Sequence, residues 1–114
     1  MSQKQSIFSV VYSRSGKVLS TGENSYKKTN PNQARIAALV GLPDKQYLHS
    51  EVAALLSLHP SHRPHSIFVS RKMKDGSFGL AKPCEVCQAA IKLAGIRRVH
   101  YTDEDGSIST YKVE

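Results

Sequence analysis

The chain contains no tryptophan and only two cysteines among its 114 residues. A disulfide scaffold is therefore not expected, and the two cysteines are only three positions apart. No apolar run approaches the roughly 20 residues that a membrane span needs, which predicts no membrane partner. The N-terminal "MSQKQSIFSV" lacks the charged-then-apolar pattern of a secretion signal, so a cytoplasmic location with reduced thiols is expected.

Acidic residues are also scarce, since nine Asp and Glu face sixteen Lys and Arg, for a formal net charge of +7. Such a balance favours phosphate-bearing partners, either nucleic acid or phosphorylated small molecules, although a solvated basic surface is an equal alternative. The length and the 39% hydrophobic content suit a single domain over residues 1–114.

Periodicity predicts an α/β fold in the order β-β-α-α-β-α-β-β. "SRSG" and "DEDG" are turn sequences that predict two hairpins, so the last two strands should pair antiparallel. Five strands are predicted at 6–13, 17–22, 66–71, 97–102 and 107–113, and three helices at 31–41, 46–58 and 83–94.

The two cysteines lie in "LAKPCEVCQAAIKLAG", where Cys84 and Cys87 share one face of a predicted first helical turn. A lone C-x-x-C is a weak signal, shared by redox proteins, zinc sites and buried pairs of small residues. Upstream, "LHSEVAAL" places His49 and Glu51 at another predicted helix start. One histidine and two cysteines would give zinc three protein ligands and leave its fourth tetrahedral position open to water.

This "H-S-E … P-C-E-V-C" pattern resembles the zinc-dependent cytidine and deoxycytidylate deaminase superfamily over about residues 6–113. The resemblance implies a three-layer cytidine-deaminase-like fold, with a mixed five-stranded sheet and an antiparallel C-terminal hairpin. It also implies one zinc ion (Zn2+) per chain on His49, Cys84 and Cys87, with Glu51 carrying protons. The short turn "TDEDGS" before the last strand is similar to that of compact phage and bacterial deaminase-like proteins.

The resemblance also implies a substrate site. The Ser50 amide and the Pro83 carbonyl occupy the positions that hold the base, and Asn24 the position that contacts the sugar, although Gly22 and Asn24 are equally typical of a simple turn. The implied reaction converts a cytosine nucleotide or nucleoside, of the dCMP type, to the uracil form with release of ammonia. Single-stranded DNA or RNA is an alternative substrate, and a non-catalytic zinc-binding interaction domain is a second alternative.

Several cations are expected to flank the mouth of this site, where they could bind a phosphate or follow a single strand. A homo-oligomer, dimer or tetramer, is expected for so short a chain. The histidines of "HPSHRPH" (59–65) are interpreted as part of a polar loop rather than a second metal site. The flanking cations are Lys27, Lys28, Arg71, Lys72, Lys74 and Lys82, and the candidate stacking residues are Tyr26, Tyr47 and Phe78.

Overall fold

A computed structural model describes residues 6–24 and 49–113. Their arrangement is α/β, as predicted, with six strands and two helices in the described ranges. The helix predicted over 31–41 lies outside the described residues, and so do Tyr26, Lys27, Lys28 and Tyr47. The elements are β1 (Ser6–Tyr12), β2 (Val18–Glu23), α1 (Ser50–Leu56), β3 (Ser66–Lys72), β4 (Phe78–Gly79), α2 (Glu85–Leu93), β5 (Arg98–Thr102) and β6 (Ile108–Lys112).

The strands form one mixed sheet in the order β2-β1-β3-β5-β6, with β4 paired to the end of β3. Among the described strands only β3 and β5 pair in parallel, and α2 lies in the connection between them, as a parallel crossover requires. The antiparallel C-terminal hairpin β5–β6 is confirmed. The predicted count of five strands is wrong because β4, only two residues long, is too short to show periodicity.

Three hairpin turns in the described residues share one backbone pattern. In each, a glycine amide donates to the carbonyl three residues earlier, at Gly16, Gly76 and Gly106. All three glycines have φ between 85° and 90°, a region that side chains with a Cβ rarely adopt. The predicted turns at "SRSG" and "DEDG" are confirmed, and "MKDG" (73–76) makes the third.

Both described helices pack on the same side of the sheet. Val11, Ile67 and Val99 are fully buried cross-strand neighbours on that side. Ala54 of α1 and Ile91 of α2 belong to the same buried cluster. Residues 6–24 and 49–113 therefore form two layers, and the third layer expected from the resemblance is not among them.

The helix boundaries differ from those predicted. The first helix, expected over 46–58, begins at Ser50 because His49 has an extended backbone with φ −92° and ψ 154°. The second, expected over 83–94, begins at Glu85, so Pro83 precedes the helix instead of occupying its first turn. Gly95, with φ +83°, ends that helix as predicted. Neither helix has the length and hydropathy to cross a bilayer, in the part of the chain that the structure describes.

Candidate metal centre

The starts of the two helices bring the three predicted ligands together. His49 is the N-cap residue of α1, and Cys84 is the N-cap residue of α2. Cys87 lies in the first turn of α2, fully buried against Val52 of α1. Packing between the helices therefore joins side chains that are 35 and 38 positions apart in the sequence.

The ligand atoms are spaced for one metal ion. His49 Nδ1 lies 3.2 Å from Cys87 Sγ and 3.5 Å from Cys84 Sγ. All three atoms lie within 4.8 Å of one another. Zinc bonds of about 2.0–2.1 Å to nitrogen and about 2.3 Å to sulfur, at tetrahedral angles, place such ligands roughly 3.5 Å apart. The residues thus fit a divalent metal that prefers nitrogen and sulfur, and the predicted convergence is confirmed.

The two thiols have opposite protonation tendencies. A hydrogen bond from Cys87, with a further contribution from His49, lowers the pKa of Cys84 to about 3. That same bond, together with burial, raises the pKa of Cys87. The hydrogen bond from the Cys87 thiol therefore favours the thiolate form of Cys84. Thiolate is the form of cysteine that binds metals.

Glu51 lies buried beside the ligands, with 5% of its surface exposed. Burial raises the pKa of its carboxyl group above the ordinary value. The Ser50 hydroxyl donates to Glu51 Oε1 at 3.0 Å and lies 2.7 Å from the Ser9 hydroxyl. Because Ser50 has a single proton to donate, Ser9 is the donor in the second bond. This chain from β1 through Ser50 orients the Glu51 carboxyl group.

Small residues on β2 allow α1 to lie close to the sheet. The Ser20 hydroxyl donates to the Ala54 carbonyl at 2.8 Å. A Cβ added to Gly22 would overlap the Ala54 backbone nitrogen and would lie 2.5 Å from the Ser50 carbonyl oxygen. Glycine at position 22 is therefore required by the close approach of the helix that carries Glu51.

Gly22→Ala is expected to push α1 away from the sheet, which would lower both the melting temperature and the metal affinity. The affected atoms belong to the helix backbone and cannot rotate aside. Thermal unfolding and metal titration measure the two effects. Thr21→Ala, at the exposed neighbouring position, is the control and should change neither. Unchanged metal affinity in folded Gly22→Ala would contradict this account of the packing.

Two of the three predicted substrate-binding residues, Ser50 and Pro83, lie at the same helix starts. Ser50 is completely buried and Pro83 is buried just before α2. The Pro83 carbonyl accepts a hydrogen bond from Gln88 Nε2 at 2.8 Å, which fixes its direction. Asn24 follows β2, and its Oδ1 accepts a hydrogen bond from the Ile7 amide at 3.0 Å. Asn24 thus has a structural role at the sheet end, and no donor role of its side-chain amide appears among the described residues.

The remaining predicted residues that the structure describes include the stacking candidate Phe78 and the flanking cations Arg71 and Lys82. Phe78 is 46% exposed and is not part of the core. Arg71 donates to the Leu80 carbonyl at 3.3 Å, and Lys82 lies exposed two residues before Cys84. The histidines of 59–65 form no metal cluster within the described ranges.

Some residues near the site were not predicted. Ser9 lies in the core-facing series Ile7, Ser9, Val11, but alternation alone does not show that this series faces the core. Nothing in the sequence pattern indicates that Gln88 or Tyr111 lies near the site. The Tyr111 hydroxyl is buried without a hydrogen-bond partner within the described ranges, and burial, followed by the charge of Glu51, raises its pKa to about 12.

Comparison with models of known protein families finds no match to this chain, and a search of curated proteins finds no similar one.

Proposed function

We propose that this protein is a zinc-dependent hydrolytic deaminase that converts a cytosine nucleotide or nucleoside to the uracil form. The observation that supports this proposal most strongly is the convergence of His49, Cys84 and Cys87 on one point, with the buried Glu51 carboxyl group beside them. The sequence resemblance to the cytidine and deoxycytidylate deaminases adds the reaction and the substrate class.

The ligand set supports zinc as the metal. Two thiolates and one imidazole suit a borderline-soft ion, whereas magnesium and calcium prefer oxygen ligands. Structural zinc sites have four protein ligands, and the described residues supply three. When bound, zinc supplies a Lewis acid that generates hydroxide from water near neutral pH.

Glu51 is suited to carry protons in this reaction. Burial raises its pKa above that of an ordinary carboxyl group, which favours a group that both accepts and donates a proton. Hydrolysis adds the oxygen of water to C4 of the base, breaks the C4–N bond and releases ammonia. Glu51 takes a proton from the water, delivers it to the ring nitrogen and assists protonation of the leaving amine.

Backbone groups at the helix starts are suited to hold the base. The Ser50 amide is at the first position of α1, where an amide has no intrahelical partner. The Pro83 carbonyl, fixed by Gln88, retains a second lone pair. A cytosine edge bears both an acceptor and an amine donor, so one group of each kind matches it.

The buried carboxyl group favours catalysis over a purely structural zinc domain. Burying a carboxylate costs free energy, and a structural zinc site does not need a buried carboxylate that is not a ligand. A titratable group with a shifted pKa beside a metal site is instead typical of an active site.

Ammonia release from dCMP, cytidine, dCTP and cytosine-containing oligonucleotides tests the proposal. We expect the zinc-loaded protein to release ammonia from at least one of them, with an equal amount of the uracil product. Protein stripped of metal by a chelator is the control and should be inactive until zinc is restored. A zinc-loaded, folded protein that releases ammonia from none of these compounds would contradict the proposed activity.

A further inference from the structure

The side of the sheet opposite the helices is open to solvent in the described residues. We call it the open face and define it by the residues that alternate with the buried ones along each strand. On the buried side Ser9, Val11, Ile67 and Val69 are completely buried. The open face consists of Thr21 and Glu23 on β2, Phe8, Val10 and Tyr12 on β1, Ser66, Phe68, Ser70 and Lys72 on β3, Arg98 and His100 on β5, and Thr110 and Lys112 on β6, all exposed or partly exposed.

Three of the chain's few aromatic residues lie on this face, on two adjacent central strands. Phe8 is 38% exposed, and Tyr12 and Phe68 are partly exposed. Phe68 is paired with Val10, so Phe8 and Tyr12 are its diagonal neighbours on β1, at spacings of about 7–8 Å. Aromatic rings presented by the central strands of an open sheet form a platform on which unpaired bases stack.

One end of the open face is strongly basic. A cavity of about 290 Å³ is lined by Arg14, His65, Arg97, Arg98 and Lys112, with no acidic residue among them. None of the four Arg and Lys side chains has a hydrogen bond or an ion pair within the described ranges. Burial lowers the pKa of the neighbouring His100, and the positive charges of Arg98 and His65 lower it further.

The cationic cavity adjoins the aromatic platform. Tyr12, Ser66, Arg98 and Lys112 form one row of cross-strand partners, so the tyrosine ring and two of the cations share a level of the sheet. The row with Val10 and Phe68 comes next, about 7 Å along the strands. Along the strands, the groups that can bind phosphate lie at one end, and the groups on which bases can stack follow them.

We propose that the open face binds single-stranded nucleic acid, with backbone phosphates at the basic cavity and bases stacked on Tyr12, Phe68 and Phe8. Charge supports this occupant over a second copy of the chain. Lys72, Arg98 and Lys112 on this face are opposed only by Glu23 among the described strands, so two such faces repel each other. The inference does not depend on deaminase activity, because the metal centre lies in the helical layer.

Fluorescence anisotropy with labelled oligouridine and oligothymidine of about 12 nucleotides tests this surface. We expect the wild-type protein to bind both single strands more tightly than a duplex of equal length, since a duplex hides the faces of its bases. Affinity should fall as salt rises from about 50 to about 200 mM.

Variants separate the contributions of charge and stacking. Replacing Arg98 and Lys112 by Gln should weaken binding and reduce the slope of log affinity against log salt by about 1.4, at about 0.7 per phosphate contact. Lys92→Gln, an exposed cation on α2, should leave both unchanged. Phe8→Leu keeps an apolar side chain without a flat ring and should weaken binding about tenfold, whereas Phe8→Tyr should restore it.

Several results would overturn the inference. These are the absence of single-strand binding at about 50 mM salt, equal affinity for the duplex, and full affinity in folded Phe8→Leu. A wild-type dimer that Phe8→Leu converts to a monomer would instead identify the face as a contact between copies. Each outcome is independent of ammonia release, so failure here leaves the proposed enzyme activity to its own test.

Discussion

Glu51→Gln is expected to abolish most ammonia release while leaving zinc content and folding intact. The amide has the shape of the carboxyl group but cannot accept a proton, and proton transfer by a positioned group contributes about 10²- to 10⁴-fold to rate. Since Glu51 is not one of the three converging ligands, metal analysis should still find about one zinc per chain. Removal of a buried carboxylate should not lower the melting temperature.

Glu85→Gln is the matched control for this prediction. Glu85 is also a glutamate in the first turn of a helix and directly follows the ligand Cys84, but it is exposed. The variant should retain near-wild-type turnover. Activity of Glu51→Gln within a few fold of the wild type would exclude Glu51 as the proton carrier, whatever the metal content.

Cys87→Ala is expected to lose the metal and, with it, a large part of the stability. Its sulfur is one of three ligands and is fully buried between the helices. Binding of a metal to the native state alone adds about 2.7 kcal/mol to the unfolding free energy when free metal is about 100 times Kd. A chelator should therefore lower the melting temperature of the wild type but cause no further decrease in Cys87→Ala.

Ile91→Val provides the comparison for a change in the same helix that spares the ligands. Ile91 is completely buried, and its truncation to valine costs about 0.5–1.5 kcal/mol through packing. This variant should keep its zinc, so a chelator should lower its melting temperature by as much as that of the wild type. Equal chelator sensitivity of Cys87→Ala and the wild type would contradict the assignment of Cys87 as a ligand.

The sheet was predictable to the extent that each strand carries its own signal. The strands of the hairpins at "SRSG" and "DEDG" are long enough to alternate buried and exposed residues, and both turns place a glycine at positive φ. The "MKDG" turn has the same chemistry, but its second strand is only Phe78–Gly79. Two residues cannot display a period of two, so the sequence does not predict this hairpin.

The ligands were predictable because metal binding restricts residue type and spacing, whereas their supports were not. His49, Cys84 and Cys87 stand out in a chain with only two cysteines. Ser9 and Gly22 act through the close approach of α1 to the sheet, which only tertiary structure specifies. The boundary of α1 at His49 is likewise set by the ligand's extended backbone, while local propensity favoured an earlier start.

The open face illustrates a different limit of sequence reasoning. Alternation in "SIFSVVYS" separates Phe8, Val10 and Tyr12 from Ser9 and Val11, but it does not show which set faces the helices. In the folded protein Ser9 faces the helices and the aromatic residues Phe8 and Tyr12 face away from them, the reverse of what hydrophobicity alone would favour. The reason is that α1 requires small residues beneath it.

X-ray absorption spectroscopy at the zinc edge of the purified protein is the most direct test. It should show one zinc per chain with two sulfur ligands near about 2.3 Å, one imidazole nitrogen near about 2.0–2.1 Å and one further light atom from solvent. Protein purified with adequate zinc but lacking the metal, or a zinc shell without two sulfurs, would contradict a metal centre built from His49, Cys84 and Cys87.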